Sequence, residues 1–304
     1  METQLNVYYK KTNMENDRIL YTLHIMWYEH LMINETLDSL QSAISNSQMP
    51  VDIIVCLNSQ TEIEKPDPGY VPIDMFNEFI NHPILRDAII IHKTDDNDFY
   101  NIGDWARDIY GSEYDYKYIV WGESDCLIPE DYFFLLQHIN IKEPHVLSLA
   151  NRKMWDSTWD EIEHEWIKQF KRDGPLDKPA NAPEPFNSRD YISIDELNEF
   201  NRKFDPYVMS MVTQKIDGCM TALSRGLPLD FIHPELHIGG HDYYFEIFMK
   251  KNNIPQYYIP TRLKGHNQVH PTKRVGTSTE RGCAEYVFYK KRCDELITDL
   301  FINK

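Results

Sequence analysis

Short apolar runs alternating with stretches of helical spacing are the feature that most constrains this chain. Ile19 to Trp27 is brief and apolar, as in a strand buried on both faces. Ile33, Leu37, Leu40 and Ile44 then recur at helical spacing with polar residues between them. Val51 to Leu57, reading VDIIVCL, is β-branched and stops at Asn58-Ser59, as a strand entering a turn does. Ala88–His92 and Tyr116–Trp121 repeat the strand pattern, with helices expected at Met75–Ile80 and Asp104–Tyr110. Pro129 stands where a helix running to about His138 would open. Steady alternation of this kind predicts an α/β fold with a mostly parallel, Rossmann-like sheet and helices on both faces. Ligands of such sheets bind beyond the carboxyl ends of the strands. Polar residues fall at those ends: Tyr28-Glu29, Asn58-Ser59, Asp95-Asp96 and Glu123-Ser124-Asp125.

The second half is less regular. Val146–Ala150, Asp217–Leu223 and Gln256–Ile259 read as strands. Met154–Lys171, with Trp155, Trp159 and Trp166, reads as a helix, as do Ile194–Phe204, Asp242–Lys251 and Ala284–Phe301. Residues 173–190 are rich in Pro, Gly, Asn and Asp, and a mobile loop is expected there.

A chain of 304 residues with 42% hydrophobic content suits one large α/β domain or two fused halves. No stretch approaches the roughly 20 apolar residues that span a bilayer. The first residues lack an apolar signal region, so a cytoplasmic location is expected. Five cysteines without a CxxC pair read as reduced thiols rather than a zinc knuckle or disulfide framework.

The net charge of −17 argues against avid nonspecific binding to nucleic acid. It is unevenly spread. Arg262 to Arg292 holds eight Lys/Arg against two Glu, a local +6, which leaves −23 for the rest. That segment, with Lys273 and Arg274 inside it, is either a solvated basic tail or a surface for phosphates.

Four clusters can carry chemistry. Glu123-Ser124-Asp125 follows an apolar strand, and on a continuing strand both acids would share one side. Two such carboxylates can hold a hard divalent cation, although acid-x-acid also describes many solvated turns. Asn101-Ile102-Gly103-Asp104-Trp105-Ala106-Arg107-Asp108 precedes that strand. Gly239-Gly240-His241-Asp242 precedes an amphipathic helix, where an acid is either a cap or a carboxylate poised at a cleft. Lys264-Gly265-His266 offers a histidine that could complete a metal site beside acidic ligands.

In order and spacing these pieces resemble glycosyltransferase family 2 and its GT-A relatives, over roughly residues 19 to 266. The family's aromatic-Asn-Glu turn is matched by Trp27-Tyr28-Glu29, and its E-T-L-x-S-L helix by Glu35-Thr36-Leu37-Asp38-Ser39-Leu40. Its second-strand turn is similar to Asn58-Ser59-Gln60-Thr61-Glu62. Its N-x-G-x-x-x-A-R-N segment is similar to Asn101, Gly103, Ala106, Arg107 and Asp108. Its D-x-D motif and Pro-Glu helix start correspond to Glu123-Ser124-Asp125 and Pro129-Glu130. Asp217-Gly218, Gly239-Gly240-His241-Asp242, Pro260 and His266 complete the order. Three departures stand out. Leu57 replaces an acid that often reads the donor's uracil, Glu123 replaces the first Asp, and His241 replaces the Glu before Asp242.

The resemblance implies a nucleotide-sugar donor at the sheet's carboxyl edge, contacted by Tyr28, Glu29, Asn58, Asn101, Gly103, Arg107, Glu123 and Ser124. It implies Mn²⁺ or Mg²⁺ on Asp125 and His266, with Glu123 as a further ligand. It implies Asp242 as the base that deprotonates an acceptor hydroxyl, with inversion. It divides the chain into an extension at 1–18, a donor half at 19–130, an acceptor half at 131–260 and a basic segment at 261–304. The acceptor is a saccharide or glycoconjugate, or a hydroxymethylated base in bacteriophage DNA. Trp155, Trp159, Lys273 and Arg274 are the candidates to meet it, the tryptophans alternatively being core. Two other classes stay open: a nucleotidyltransferase acting on sugar phosphates, and an inactive sugar-binding module. The first would need a basic, Gly-rich phosphate loop after the first strand, which Tyr28 to Leu31 does not offer.

Overall fold

The structure is a computed structural model. It describes residues 18–25, 33–59, 79–94, 109, 116–124, 126–151, 193–202, 210–211, 220–228, 233, 235, 241–266 and 280–302. Its strands are β1 (Ile19–Ile25), β2 (Val51–Ser59), β3 (Ile89–Thr94), β4 (Tyr118–Glu123), β5 (Cys126–Leu127), β6 (Val146–Asn151), β7 (Ser210–Met211), β8 (Thr221–Ser224) and β9 (Gln256–His266). Its helices are α1 (Ile33–Ser45), α2 (Tyr132–His138), α3 (Ile194–Asn201), α4 (His241–Lys251) and α5 (Glu280–Ile302).

Among the described residues the strands form one mixed sheet in the order β3-β2-β1-β4-β8-β6-β9-β5, with β7 also paired to β9. β3, β2, β1 and β4 are mutually parallel. β8 runs antiparallel to both β4 and β6, and β6 is parallel to β9. The α/β reading therefore holds, and the sheet is mostly parallel with one reversed strand inside it. Two reversals in succession leave β6 and β9 running in the same sense as β4. The carboxyl ends of β1, β2, β3, β4, β6 and β9 thus point to one edge.

Both faces of the sheet are covered. β1 is buried at every position, as a strand between two helical layers must be. Its odd residues Ile19, Tyr21, Leu23 and Ile25 pack with Leu37 and Leu40 of α1 and Phe133 and Leu136 of α2. Leu20 points the other way and joins Ile54, Trp121 and Val146 against Tyr244, Phe248 and Met249 of α4 and Cys293 and Leu296 of α5. Each such aliphatic side chain contributes about 1.5–3 kcal/mol through burial. No described helix is long and apolar enough to cross a membrane.

Three expectations are corrected. The helix expected to open at Pro129 begins instead at Tyr132. Pro129 to Asp131 form a turn whose first carbonyl accepts the Tyr132 N–H at 3.0 Å. That turn is an anchor: Arg202 grips the Glu130 carboxylate with two bonds of 2.7 and 2.8 Å, and Asn198 Oδ1 accepts the Glu130 N–H at 3.0 Å. α3 itself opens on a capping box, in which Ser193 Oγ accepts the Glu196 N–H and Glu196 accepts the Ser193 N–H.

The last strand does not stop near Pro260 but runs on to His266. Its register against β6 jumps from Leu149↔Ile259 to Ala150↔Leu263, so Pro260, Thr261 and Arg262 drop out of that ladder. The bulge removes from pairing the one residue that lacks an N–H to donate. β9 therefore crosses the division expected at 260/261.

Nor is Glu123-Ser124-Asp125 part of one continuing strand. β4 ends at Glu123, Ser124 is in a turn and β5 starts at Cys126. Alternation along a strand cannot be what relates the two acids.

Candidate functional site

The carboxyl edge is built from register. Glu123 stands opposite His24 of β1, His24 opposite Cys56 of β2, and Cys56 opposite Ile91 of β3. Asn58 lies two residues further along β2, opposite Lys93. Trp121, buried just before Glu123, stacks on the His24 ring with centroids 3.7 Å apart and planes 27° from parallel. The Glu123 side chain is half-buried at the end of this row.

Helix α1 holds the turn that follows. Thr36 Oγ1 donates to the Ser124 carbonyl at 2.7 Å, and Ser39 Oγ accepts the Ile128 N–H at 3.1 Å. Ser124 is itself fully buried. This gives a physical content to the Glu35-Thr36-Leu37-Asp38-Ser39-Leu40 motif: Leu37 and Leu40 fill the core while Thr36 and Ser39 hold backbone.

The far end of the chain meets this turn. β5 pairs antiparallel with the end of β9, placing Cys126 opposite His266 and Leu127 opposite Gly265. The histidine singled out in the sequence therefore comes back beside the residue that adjoins Asp125. Lys264 lies two residues before His266 on β9 and is fully buried. Its place as an interior cation was not read from the sequence, because Lys-Gly-His looks like surface chain. The available signal was its position two residues from a candidate ligand, within the same strand.

Asp242 is the second residue of α4. One turn on, Glu246 is buried and ion-paired with Lys250, so its carboxylate is already engaged. Tyr28, Glu29, Asn101, Gly103, Arg107, Asp125, Trp155, Trp159, Lys273 and Arg274 lie outside the described residues, as does the 173–190 loop. For Asn58, Asp242 and His266 the backbone is described and the side chain is not.

A divalent cation is the group the sequence resemblance implies, and the donor set is suited to it. Carboxylate oxygens and an imidazole are hard and borderline ligands for Mg²⁺ and Mn²⁺, and the Cys126–His266 pair brings their strands together. Among the described residues alone no three His, Cys, Asp or Glu side chains form a cluster; the set implied by the resemblance includes Asp125, which lies outside them.

The basic segment is less available for phosphates than its count suggests. Of its cations, Lys264 is buried, and Arg292 is bound to Glu235 at 2.6 Å and Glu295 at 3.0 Å. Those contacts hold the Arg292 guanidinium well above its ordinary pKa and Glu235 below its own. Lys291 is exposed.

No protein-family model matches the chain, and no curated protein matches it in sequence. Several solved structures are similar at low identity. A candidate nucleotide-diphospho-sugar transferase from Desulfovibrio desulfuricans G20 is 11% identical, with 94% of this chain and 99% of that one covered and a TM-score of 0.38. S. aureus TarS 1-349 is 11% identical over 44% of this chain, with a TM-score of 0.29, and the match spans 35% of that protein's length. The galactosyltransferase LgtC, in complex with donor and acceptor sugar analogs, is 10% identical over 50% of each chain, with a TM-score of 0.29.

Proposed function

We propose that this chain is a GT-A-type glycosyltransferase that moves a sugar from a nucleotide-sugar donor to an acceptor hydroxyl. The observation that carries this reading is the pairing of Cys126 with His266. Two motifs about 140 residues apart in the likeness meet at the carboxyl edge of the sheet, where an α/β protein binds its ligand.

Asp125 and His266, with Glu123, would hold Mn²⁺ or Mg²⁺. Such a cation supplies Lewis-acid stabilisation to the departing nucleoside diphosphate. Asn58 and the polar ends of the neighbouring strands line the donor side. Asp242 accepts the proton of the attacking hydroxyl, with inversion at the sugar carbon. The last turn of α4 supports this placement. It is tied back to the chain entering β9 through the Ile254 N–H on the Met249 carbonyl at 2.9 Å. The first turn of α4, with Asp242, is then the end free to approach the carboxyl edge. Leu57, fully buried, leaves that position without a side-chain acceptor for the base. A saccharide or glycoconjugate acceptor is preferred to DNA, since two cations of the basic segment are engaged within the protein.

The test is a panel of nucleotide sugars with Mn²⁺, scored by thermal shift and by the product released. A donor should raise the melting temperature by mass action, and turnover should liberate a nucleoside diphosphate. Asp125→Ala should abolish both effects while leaving the fold intact. Release of pyrophosphate in place of a nucleoside diphosphate, or full activity in excess chelator, would overturn the reading.

A further inference from the structure

Two hydroxyls on α1 are spent on the backbone of the acid turn. A helix face turned to the core ordinarily presents aliphatic side chains, as α1 does with Leu37, Leu40 and Ala43. Thr36 and Ser39 interrupt that face and are fully buried. A buried hydroxyl is costly unless it is bonded. The Thr36 hydroxyl donates out of the helix to the Ser124 carbonyl. The Ser39 hydroxyl accepts from the Ile128 N–H and donates to the Thr36 carbonyl at 2.8 Å. The two bonds grip the 124–128 segment at either end, and between them lies Cys126, the residue registered with His266.

We propose that Thr36 and Ser39 are positioning residues that hold the turn after Glu123 in register with His266 and so set the metal affinity of the site. This rests on the metal-assisted reading above. They would touch neither donor nor acceptor; their effect would pass through the backbone that presents the ligands. Removing an outer partner of this kind typically weakens metal binding about 10–100-fold.

The probe is Mn²⁺ alone, titrated against the full chain and followed by the electron paramagnetic resonance signal of the free ion. Thr36→Val keeps the side-chain volume and deletes the hydroxyl; it should weaken Mn²⁺ binding by about tenfold or more. Thr36→Ser should restore it. Thr22→Val is the control, because Thr22 is equally buried and donates to the Val120 carbonyl at 3.1 Å within β1 and β4, away from the turn. It should lower the melting temperature and leave Mn²⁺ affinity unchanged. If Thr36→Val does not fold, Ser39→Ala makes the same test from the other end of the turn. Affinity within about twofold of wild type in the α1 variant, well short of the expected loss, would overturn the proposal, as would an equal loss in Thr22→Val. A wild-type protein that takes up no Mn²⁺ overturns the metal reading itself, and that result is reached before any variant is compared.

Discussion

The ring of Tyr21 fills the space that a side chain at Gly122 would need: its hydroxyl lies 2.1 Å, and its ring carbon Cζ 2.3 Å, from where a Cβ at Gly122 would sit. The ring cannot easily retreat. It is fully buried, meets Phe133 edge-on at 6.0 Å, and its hydroxyl donates to Met220 Sδ at 3.7 Å. Gly122→Ala should therefore destabilise by about 3 kcal/mol, the upper part of the range for overpacking. In a Tyr21→Val background the same change should cost far less, because the two sites share one space. Denaturant melts of the four proteins check this; additive costs would refute it.

Asp242→Asn should retain donor binding and lose transfer by about a hundredfold or more, since an amide cannot take the proton of the acceptor hydroxyl. Binding by calorimetry and single-turnover transfer separate the two. Transfer within a few-fold of wild type would reduce Asp242 to a residue of the helix start.

Stability should fall as pH drops below about 6.5, through His145. Its Nδ1 donates to the Glu143 carbonyl at 2.7 Å, and its Nε2 accepts the Tyr118 hydroxyl at 2.9 Å. Burial, helped by nearby Lys117, lowers its pKa from the ordinary 6.5. Burial likewise raises that of Tyr118, which stays a donor. Between the lowered folded value and 6.5 the unfolded chain binds more protons, so stability rises with pH through that window and is complete above it. His145→Gln should flatten this part of the profile, measured as melting temperature against pH.

Lys264→Ala should cost about 3 kcal/mol or more. It removes one of the largest fully buried side chains of the described residues. A loss below about 1 kcal/mol, the scale of an exposed ion pair, would mean that the charge reaches water.

Binding to hydroxymethylated duplex DNA, followed by fluorescence anisotropy, should be weak and show no steep salt dependence. A polyanion held by many cations releases counterions and would respond steeply. A steep response that Lys273→Glu flattens would restore DNA as the acceptor.

Much of the first half was legible in sequence because each strand carries its own local signal. Ile19–Ile25, Ile33–Ser45 and Val51–Ser59 begin where the apolar spacing begins. Strand direction has no such signal. The apolar run ending at Leu223 is the same string of side chains whether it pairs parallel or antiparallel, so the reversal of β8 had to come from tertiary contacts. Pro260 is a sound reason to end a strand, and β9 escapes it only through a bulge that depends on its neighbour β6. For the candidate site, motif order marked Glu123, Asp125, Asp242 and His266 as the residues to test. The roles of Thr36 and Ser39 stayed hidden because a hydroxyl on a helix can bond its own backbone, and only the fold shows that these two reach across to another segment.

The position of β8 has a consequence for how the molecule is made. β4 and β6 are synthesised before β8, yet β8 lies between them in the sheet. A nascent chain that has reached only Asn151 holds β4 with one edge open, waiting for a strand that arrives some seventy residues later, at Thr221. Pairings closed over such spans are slow to form, and an apolar strand edge left open invites other chains. Any truncation ending before Thr221 would leave that edge permanently unfilled, and such fragments should aggregate on the ribosome's exit side rather than persist as a folded N-terminal half.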